Sequence, residues 1–259
     1  MIPKKIHYCW FGGNPLPELA QKCIASWKKY CPDYEIIEWN ETNYDITKNN
    51  YMYQAYENKR WGFVPDYARL DIIYTHGGIY LDTDVELIKS IDDLLELEGF
   101  AGVEQNSEYV ALGLGFGATQ GHSTIRALRD YYDEISFVID GELNLTPAPK
   151  INGSVLQTMG YRFSDQIINS CGLTIFPSEY LCPINYDTGE LTITEKTYSI
   201  HHYTASWYDE SKRYALKLKR RYGRIFPRKI AAVLATAVAK TKYDGFGACL
   251  KWIFKKNKD

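Results

Sequence analysis

No stretch of 18 or more apolar residues occurs in this 259-residue sequence, which excludes an ordinary transmembrane helix. The opening Met1-Ile-Pro-Lys-Lys5 is basic, but the apolar run behind it is only about five residues long and contains His7, too short for a secretory signal. The chain is therefore expected in the cytoplasm. Cysteine is sparse and unpatterned: Cys9, Cys23, Cys31, Cys171, Cys182 and Cys249 form no CxxC pair. In a cytoplasmic chain they are expected as free thiols, and a zinc site is not expected. There is no internal repeat and no low-complexity run.

What is abundant is aromatic side chain, 15% of residues with 22 Tyr and 6 Trp. Such rings suit stacking on sugars and bases, and equally suit plain core packing. Charge is abundant but unevenly placed. Residues 211–259 hold 15 Lys and Arg against two acids, a net +13, whereas residues 1–210 hold 15 against 30, a net −15. An acidic body with a basic tail points the tail at an anionic surface.

The spacing predicts a β-α-β opening. Lys5 to Trp10 reads as a buried strand and Phe11-Gly-Gly-Asn-Pro15 as a turn. Leu16 to Tyr30 has helical spacing at Leu19, Cys23, Ile24 and Trp27, and Tyr34 to Trp39 reads as a second strand. This order argues for an α/β fold with a mostly parallel sheet. Val64 to Thr75 is predicted helical, with Pro65 in its first turn and Gly77-Gly78 beyond its end. Ile79 to Asp82 is a short strand running into acidic residues. Further on, Gly113 to Gly117 reads as a strand and His122 to Tyr132 as a helix. Thr146-Pro-Ala-Pro149 reads as a linker-like break, and 174–177, 191–194 and 198–202 as late strands. In the tail, Tyr214, Leu216, Leu218 and Tyr222 sit among basic residues. Pro227 starts a helix whose apolar run, Ile230 to Ala239, is too short to span a bilayer. The combination suits helices lying in a membrane interface, against the alternative of a helical hairpin packed on the body. Nucleic acid is not expected, because no binding motif accompanies the charge.

Asp82 and Asp84 carry the chemistry. In an extended segment, residues i and i+2 point to one face. Two carboxylates at the end of a buried strand make a hard oxygen site for Mn²⁺ or Mg²⁺, and ligands in open α/β sheets bind beyond the carboxyl ends of strands. A lone DxD is weak, and Glu86, Asp92 and Asp93 make the stretch acidic anyway.

The surroundings are more specific. Pro65-Asp-Tyr-Ala-Arg69 through Gly77-Gly78-Ile-Tyr80-Leu-Asp82-Thr-Asp84 resembles the DxD region of glycosyltransferase family 32. That family includes yeast initiating α-mannosyltransferases and bacterial capsule and lipopolysaccharide enzymes, and clostridial glucosylating toxins carry a related block. Ile2 to Gly13 resembles its first strand, and Ser199-Ile-His-His202 through Ser206-Trp207 its closing motif. The resemblance covers roughly residues 1–210 and implies a GT-A fold, the Rossmann-like nucleotide-diphospho-sugar transferase architecture. A single catalytic domain over 1–210 and a basic helical extension over 211–259 are expected.

The resemblance further implies a retaining hexosyltransferase acting on a nucleotide-sugar, UDP-sugars foremost. The acceptor would be an oligosaccharide or lipid-linked saccharide in capsular or cell-surface polysaccharide synthesis. The enzyme would be peripheral on the inner face of the membrane. Carried over by position, Asp84 binds the metal, and Asp82 binds the ribose or the metal through water. Asp66 and Arg69 hold the donor sugar, Trp10 lies against the base, and His202 completes the metal shell. Ser206 and Trp207 close over the diphosphate, with Tyr80 and Asn152 also at the donor. Where the family often has Gly-Pro, this chain has Asn152-Gly153-Ser154, and neither a nucleophile nor a general base is assigned. Ile79 to Val85 also matches the first motif of haloacid-dehalogenase-like phosphatases, with Asp82 as nucleophile. An inactive sugar-nucleotide-binding protein is the non-enzymatic alternative.

Overall fold

The structure, a computed structural model, describes residues 1–105, 107–186, 188–203 and 210–256. It groups the chain into two compact units, Met1–Pro183 with Thr192–His202, and Ile184–Leu191 with Tyr203–Asp259.

The first unit opens β1 (Lys5–Cys9), α1 (Glu18–Tyr30), β2 (Glu35–Trp39), α2 (Asn50–Glu57), α3 (Pro65–His76) and β3 (Gly78–Tyr80). Next come β4 (Val85–Leu87), β5 (Gly99–Gly102), β6 (Phe116–Ala118), α4 (Ser123–Asp130), β7 (Val138–Ile139), β8 (Glu142–Leu143) and α5 (Ala148–Thr158). It closes with β9 (Ile168–Ser170), β10 (Leu173–Phe176), α6 (Ser178–Leu181) and β11 (Ser199–His201). Seven strands form one sheet in the order β2-β1-β3-β6-β5-β10-β9, while β4 and β11 form a separate two-stranded ladder. The expected α/β fold is present.

The sheet is mixed rather than mostly parallel. Strand β1 runs parallel to β2 and β3, and β5 to β10, but β6 lies antiparallel between β3 and β5, and β9 antiparallel to β10. The β-α-β opening correctly gave the parallel half; nothing in the Gly-rich run before β6 encoded its direction. Two other expectations are corrected. Pro147-Ala-Pro149 starts α5 rather than breaking the chain, since proline fits the first helical turn where no N–H partner is needed. Leu191 to Thr194 forms only an isolated bridge, Leu191 to Ile184.

Helix α3 positions the site. Every residue from Asp66 to Ile73 is buried, so it has no polar face to spare, and its charged residues must find partners inside the protein. Asp71 accepts from the Tyr44 hydroxyl at 2.8 Å and from Lys48 at 3.1 Å. The apolar side of α3 joins a core of fully buried rings in which Tyr51 meets Tyr132 and Phe137 edge-on. Many of the aromatic residues are thus core.

The connection from α3 to β3 is tight. Gly77 and Gly78 both have positive φ, 63° and 103°. A Cβ on Gly78 would lie 2.9 Å from the His7 ring and from the Lys5 carbonyl, so only glycine fits. His7 is fully buried beneath this turn. Its Nε2–H donates to the Gly77 carbonyl (3.0 Å), and its Nδ1 accepts from the Trp39 indole N–H (3.1 Å). Those partners demand one neutral tautomer.

The second unit holds α7 (Glu210–Gly223), α8 (Arg228–Tyr243) and α9 (Phe246–Lys256). Arg220 anchors the 184–191 segment there: its guanidinium lies by the Tyr186 and Tyr203 rings and donates to the Tyr186 carbonyl. Among the described residues no helix is long and apolar enough to cross a membrane.

Burial lowers the His7 pKa from 6.5 to about 4. As pH falls from 6.5 towards 4, the unfolded chain takes up a proton that the folded chain refuses. Stability should then fall by up to about 3 kcal/mol and level off below pH 4. Urea unfolding across this window should show a steeper loss in the wild type than in His7→Gln. Parallel curves would overturn the assignment.

Candidate active site

The site is built where β3 ends and the chain reverses. The Val85 N–H donates to the Asp82 carbonyl at 3.0 Å, closing a turn over Asp82–Val85. The two carboxylates therefore converge through a turn and not through the alternation of an extended strand. Strand β4 follows the turn and is held from behind by the Trp27 indole, which donates to the Val85 carbonyl at 2.7 Å.

On one side stands α3. Arg69 forms a buried ion pair with Asp66 one turn earlier, and its Nη1 lies 3.6 Å from Asp82 Oδ1. Its Nε donates to the Pro65 carbonyl at 3.0 Å, and its guanidinium lies 5.4 Å from the centre of the Tyr80 ring. The cation is thus fixed in orientation and shared between two carboxylates. Gly113 sets the approach from the opposite wall: a Cβ there would stand 2.5 Å from Asp82 Oδ2 and 3.3 Å from Arg69 Nη1.

On the other side stands β11, antiparallel to β4 with His201 opposite Val85 and Ile200 opposite Glu86. His201 Nε2 lies 3.2 Å from Asp84 Oδ1. Asp82, Asp84 and His201 each offer a ligand atom within 4.8 Å of the others. His202 faces the other way: its Nε2 meets Glu86 Oε2 at 2.8 Å, and Lys22 reaches the same oxygen at 3.0 Å. The residue that joins the carboxylates is therefore His201, where the sequence motif pointed to His202. Strand alternation puts adjacent histidines on opposite faces, and only the β4–β11 register tells which face holds Asp84.

Burial, reinforced by the nearby Asp82 charge, pushes the Asp66 carboxyl up to about 7 against the pull of Arg69. Burial also raises Asp82, with Asp84 adding to it and Arg69 opposing. Burial would lower His201, but Asp84 and then Asp82 and Glu104 outweigh it and leave its pKa raised. This is a compact set of carboxylates with excess negative charge, one fixed cation and an imidazole at the edge. Its oxygen and nitrogen donors suit a divalent cation such as Mg²⁺ or Mn²⁺.

The remaining expected residues lie at differing removes. Asn152, on α5, is buried and accepts from the Tyr132 hydroxyl at 3.4 Å; Tyr132 is close enough to Asp66 for that carboxylate to raise its pKa beyond the effect of burial. Trp10 follows β1 and donates from its indole to the Asn14 carbonyl within its own loop. Ser206 and Trp207 lie outside the described residues.

Residues 17–101 match the family model described as "Glycosyltransferase sugar-binding region containing DXD motif", so the resemblance is borne out across α1 to β5. Inositol phosphoceramide mannosyltransferase 3 of Schizosaccharomyces pombe is 34% identical over 102 residues, 36% of this chain and 27% of the relative. An uncharacterised glycosyltransferase of Acanthamoeba polyphaga mimivirus is 32% identical over 108 residues, 39% of this chain and 42% of the relative. The alignments thus span well under half of these relatives. A solved glycosyltransferase involved in the glycosylation of the major capsid of PBCV-1 superposes over 85% of this chain and 99% of its own, at 13% identity and a TM-score of 0.45.

Removing one member of a buried ion pair strands the other charge, at about 3–5 kcal/mol. Arg69→Met should therefore lower the stability measured by urea unfolding by that order, and Asp66→Asn/Arg69→Met should recover much of the loss. Strictly additive losses in the double-mutant cycle would show that the pair is not coupled.

Proposed function

We propose that this chain is a retaining, metal-dependent glycosyltransferase that moves a hexosyl group from a nucleotide-sugar, foremost a UDP-sugar, to a saccharide acceptor. The observation that carries the reading is the convergence of Asp82, Asp84 and His201 beside the buried Arg69–Asp66 pair. Asp84 and His201 would hold Mn²⁺ or Mg²⁺ directly, with Asp82 serving the ion or the ribose. When bound, such an ion neutralises charge on a diphosphate leaving group as a Lewis acid.

The chain's own residues supply the rest. Arg69 is a preorganised cation for the sugar hydroxyls and the phosphate, and its pairing with Asp66 and Asp82 fixes it before any ligand arrives. Asp66, held at the base of the site, accepts from a sugar hydroxyl. Tyr80 supports Arg69 from below. Asn152, oriented by Tyr132, adds an amide to the donor pocket, and Trp10 offers a ring to the base. Ser206 and Trp207 belong to the reading on their motif alone. Retention and the lack of an assigned nucleophile follow from the family resemblance. The acceptor is read as an oligosaccharide or lipid-linked saccharide in capsular or cell-surface polysaccharide synthesis. The basic helices would keep the enzyme peripheral on the inner face of a membrane.

Hydrolysis of UDP-sugars with Mn²⁺ tests the reading. Wild type should release UDP in a metal-dependent manner, and Asp84→Ala should lower the rate by about two orders of magnitude or more, the scale of losing a group that stabilises transition-state charge. His201→Ala should be impaired comparably and His202→Ala much less. Equal rates for wild type and Asp84→Ala would sink the site. A second prediction concerns the far wall. Gly113→Ala should keep the fold by circular dichroism but displace the Asp82 carboxylate, weakening Mn²⁺ binding in water-proton relaxation titrations. Unchanged affinity would mean that the wall gives way or that Asp82 does not hold the ion.

A further inference from the structure

Helix α8 is inside out. Ala231, Ala235 and Ala239, at i, i+4 and i+8, are each 1% exposed. Ile230, Val233, Leu234 and Val238 are 38 to 49% exposed, and they too share one face by helical spacing. A helix folding for its own stability buries its large apolar residues, because burial of Ile, Leu or Val is worth far more than burial of Ala. Here the small residues make the intramolecular contact and the large ones are left facing outward. The same unit continues the pattern beyond α8, where Ile225, in the preceding turn, is 75% exposed and Phe246, the first residue of α9, 67%. Contiguous apolar surface of this kind marks an interaction site.

Charge identifies what covers it. Lys229 and Lys240 fall in line with Val233 along one border of the apolar face, at spacings of four and seven residues. Arg221, Arg224 and Arg228 surround the Ile225–Phe226 turn. The stretch from residue 211 on has a net +13, so a second copy of this unit would be repelled. Nucleic acid would leave the apolar stripe without a role. A lipid surface with anionic headgroups satisfies both parts, the stripe entering the acyl boundary and the lysines remaining at the headgroups.

We infer that the outward face of α8, centred on Ile230, Val233, Leu234 and Val238, is the surface by which this protein docks flat on an anionic membrane. This rests on the peripheral-membrane part of the proposed function and gives that contact a face; it does not require sugar transfer.

The test is sedimentation of the full chain with vesicles of phosphatidylcholine alone or with about a third phosphatidylglycerol, a content at which attraction to basic residues is strong. Wild type should partition onto the anionic vesicles and not the neutral ones. Val233→Asp/Leu234→Asp should lose about tenfold or more in partitioning, since it places charge where the acyl chains would be. Lys229→Gln/Lys240→Gln should lose about fivefold for each lysine and show a shallower salt dependence. Helicity by circular dichroism and UDP-sugar hydrolysis should not change in any variant. If wild type binds and Val233→Asp/Leu234→Asp binds equally, the face is wrong although the membrane reading stands. If wild type ignores anionic vesicles, both fail while sugar transfer is untouched. If sedimentation velocity shows a wild-type dimer that the aspartate variant abolishes, the face joins two copies and the inference is overturned.

Discussion

The Arg69 guanidinium, buried on α3 and shared between Asp66 and Asp82, is the interaction on which the site depends. A cation enters a protein interior only when carboxylates repay its lost hydration, and those carboxylates are in turn tolerable there only because the cation is present. The arrangement links a helix to the turn beyond a strand. Asp66 belongs to the first turn of α3, while Asp82 follows β3 after the chain has passed through Gly77 and Gly78. Any shift of α3 along the sheet would separate the charges. The ion pair therefore serves as a register mark, and a dense core of aromatic rings beneath α3 keeps that mark in place.

Register also depends on the turn between helix and strand. His7 lies under Gly77-Gly78 with both ring nitrogens engaged, so strand β1, the edge strand β2 through Trp39 and the helix end are tied at one imidazole. The Leu81 N–H donates to the His7 carbonyl at 3.0 Å, which carries the same tie forward to the residue before Asp82. The position of the acidic turn is thus set by backbone hydrogen bonds to the neighbouring strand. The carboxylates themselves face Arg69 on one side and His201 on the other.

Much of this was legible in the sequence, for identifiable reasons. Helix α3 and its stop could be read from Pro65 and Gly77-Gly78, because those residues have few conformational options. Asp66 and Arg69 were singled out by their motif, and their spacing of three permits a pair, but that the pair is buried could not be read from it. The antiparallel course of β6 could not, because strand direction is a property of the connection and not of the strand's composition. Pro147-Ala-Pro149 was ambiguous because proline both breaks helices and begins them. The acidic pair was found by its residue types, but its geometry was misread: Asp82 and Asp84 meet through a turn. The adjacent His201 and His202 carry the same signal in sequence, and only the pairing of β11 with β4 separates them, giving one to Asp84 and the other to Glu86.

The local charges argue for the order in which ligands belong in this site. Arg69 is shared between the carboxylates of Asp66 and Asp82, and Asp84 stands beside Asp82, so the carboxylates outnumber this one fixed cation. Glu86 is already engaged by Lys22 and His202 and adds nothing to relieve it. A diphosphate brought alone to Asp82 and Asp84 would meet like charge in a partly dry setting, where such repulsion is weakly screened. On the proposed reading, a divalent cation held by these carboxylates would offset their charge and so let them support a diphosphate. On that reading, then, nucleotide-sugar and metal depend on each other for affinity. The raised pKa of His201 has the same origin: against the cost of burial, the charges of Asp84 and Asp82 favour its cationic form.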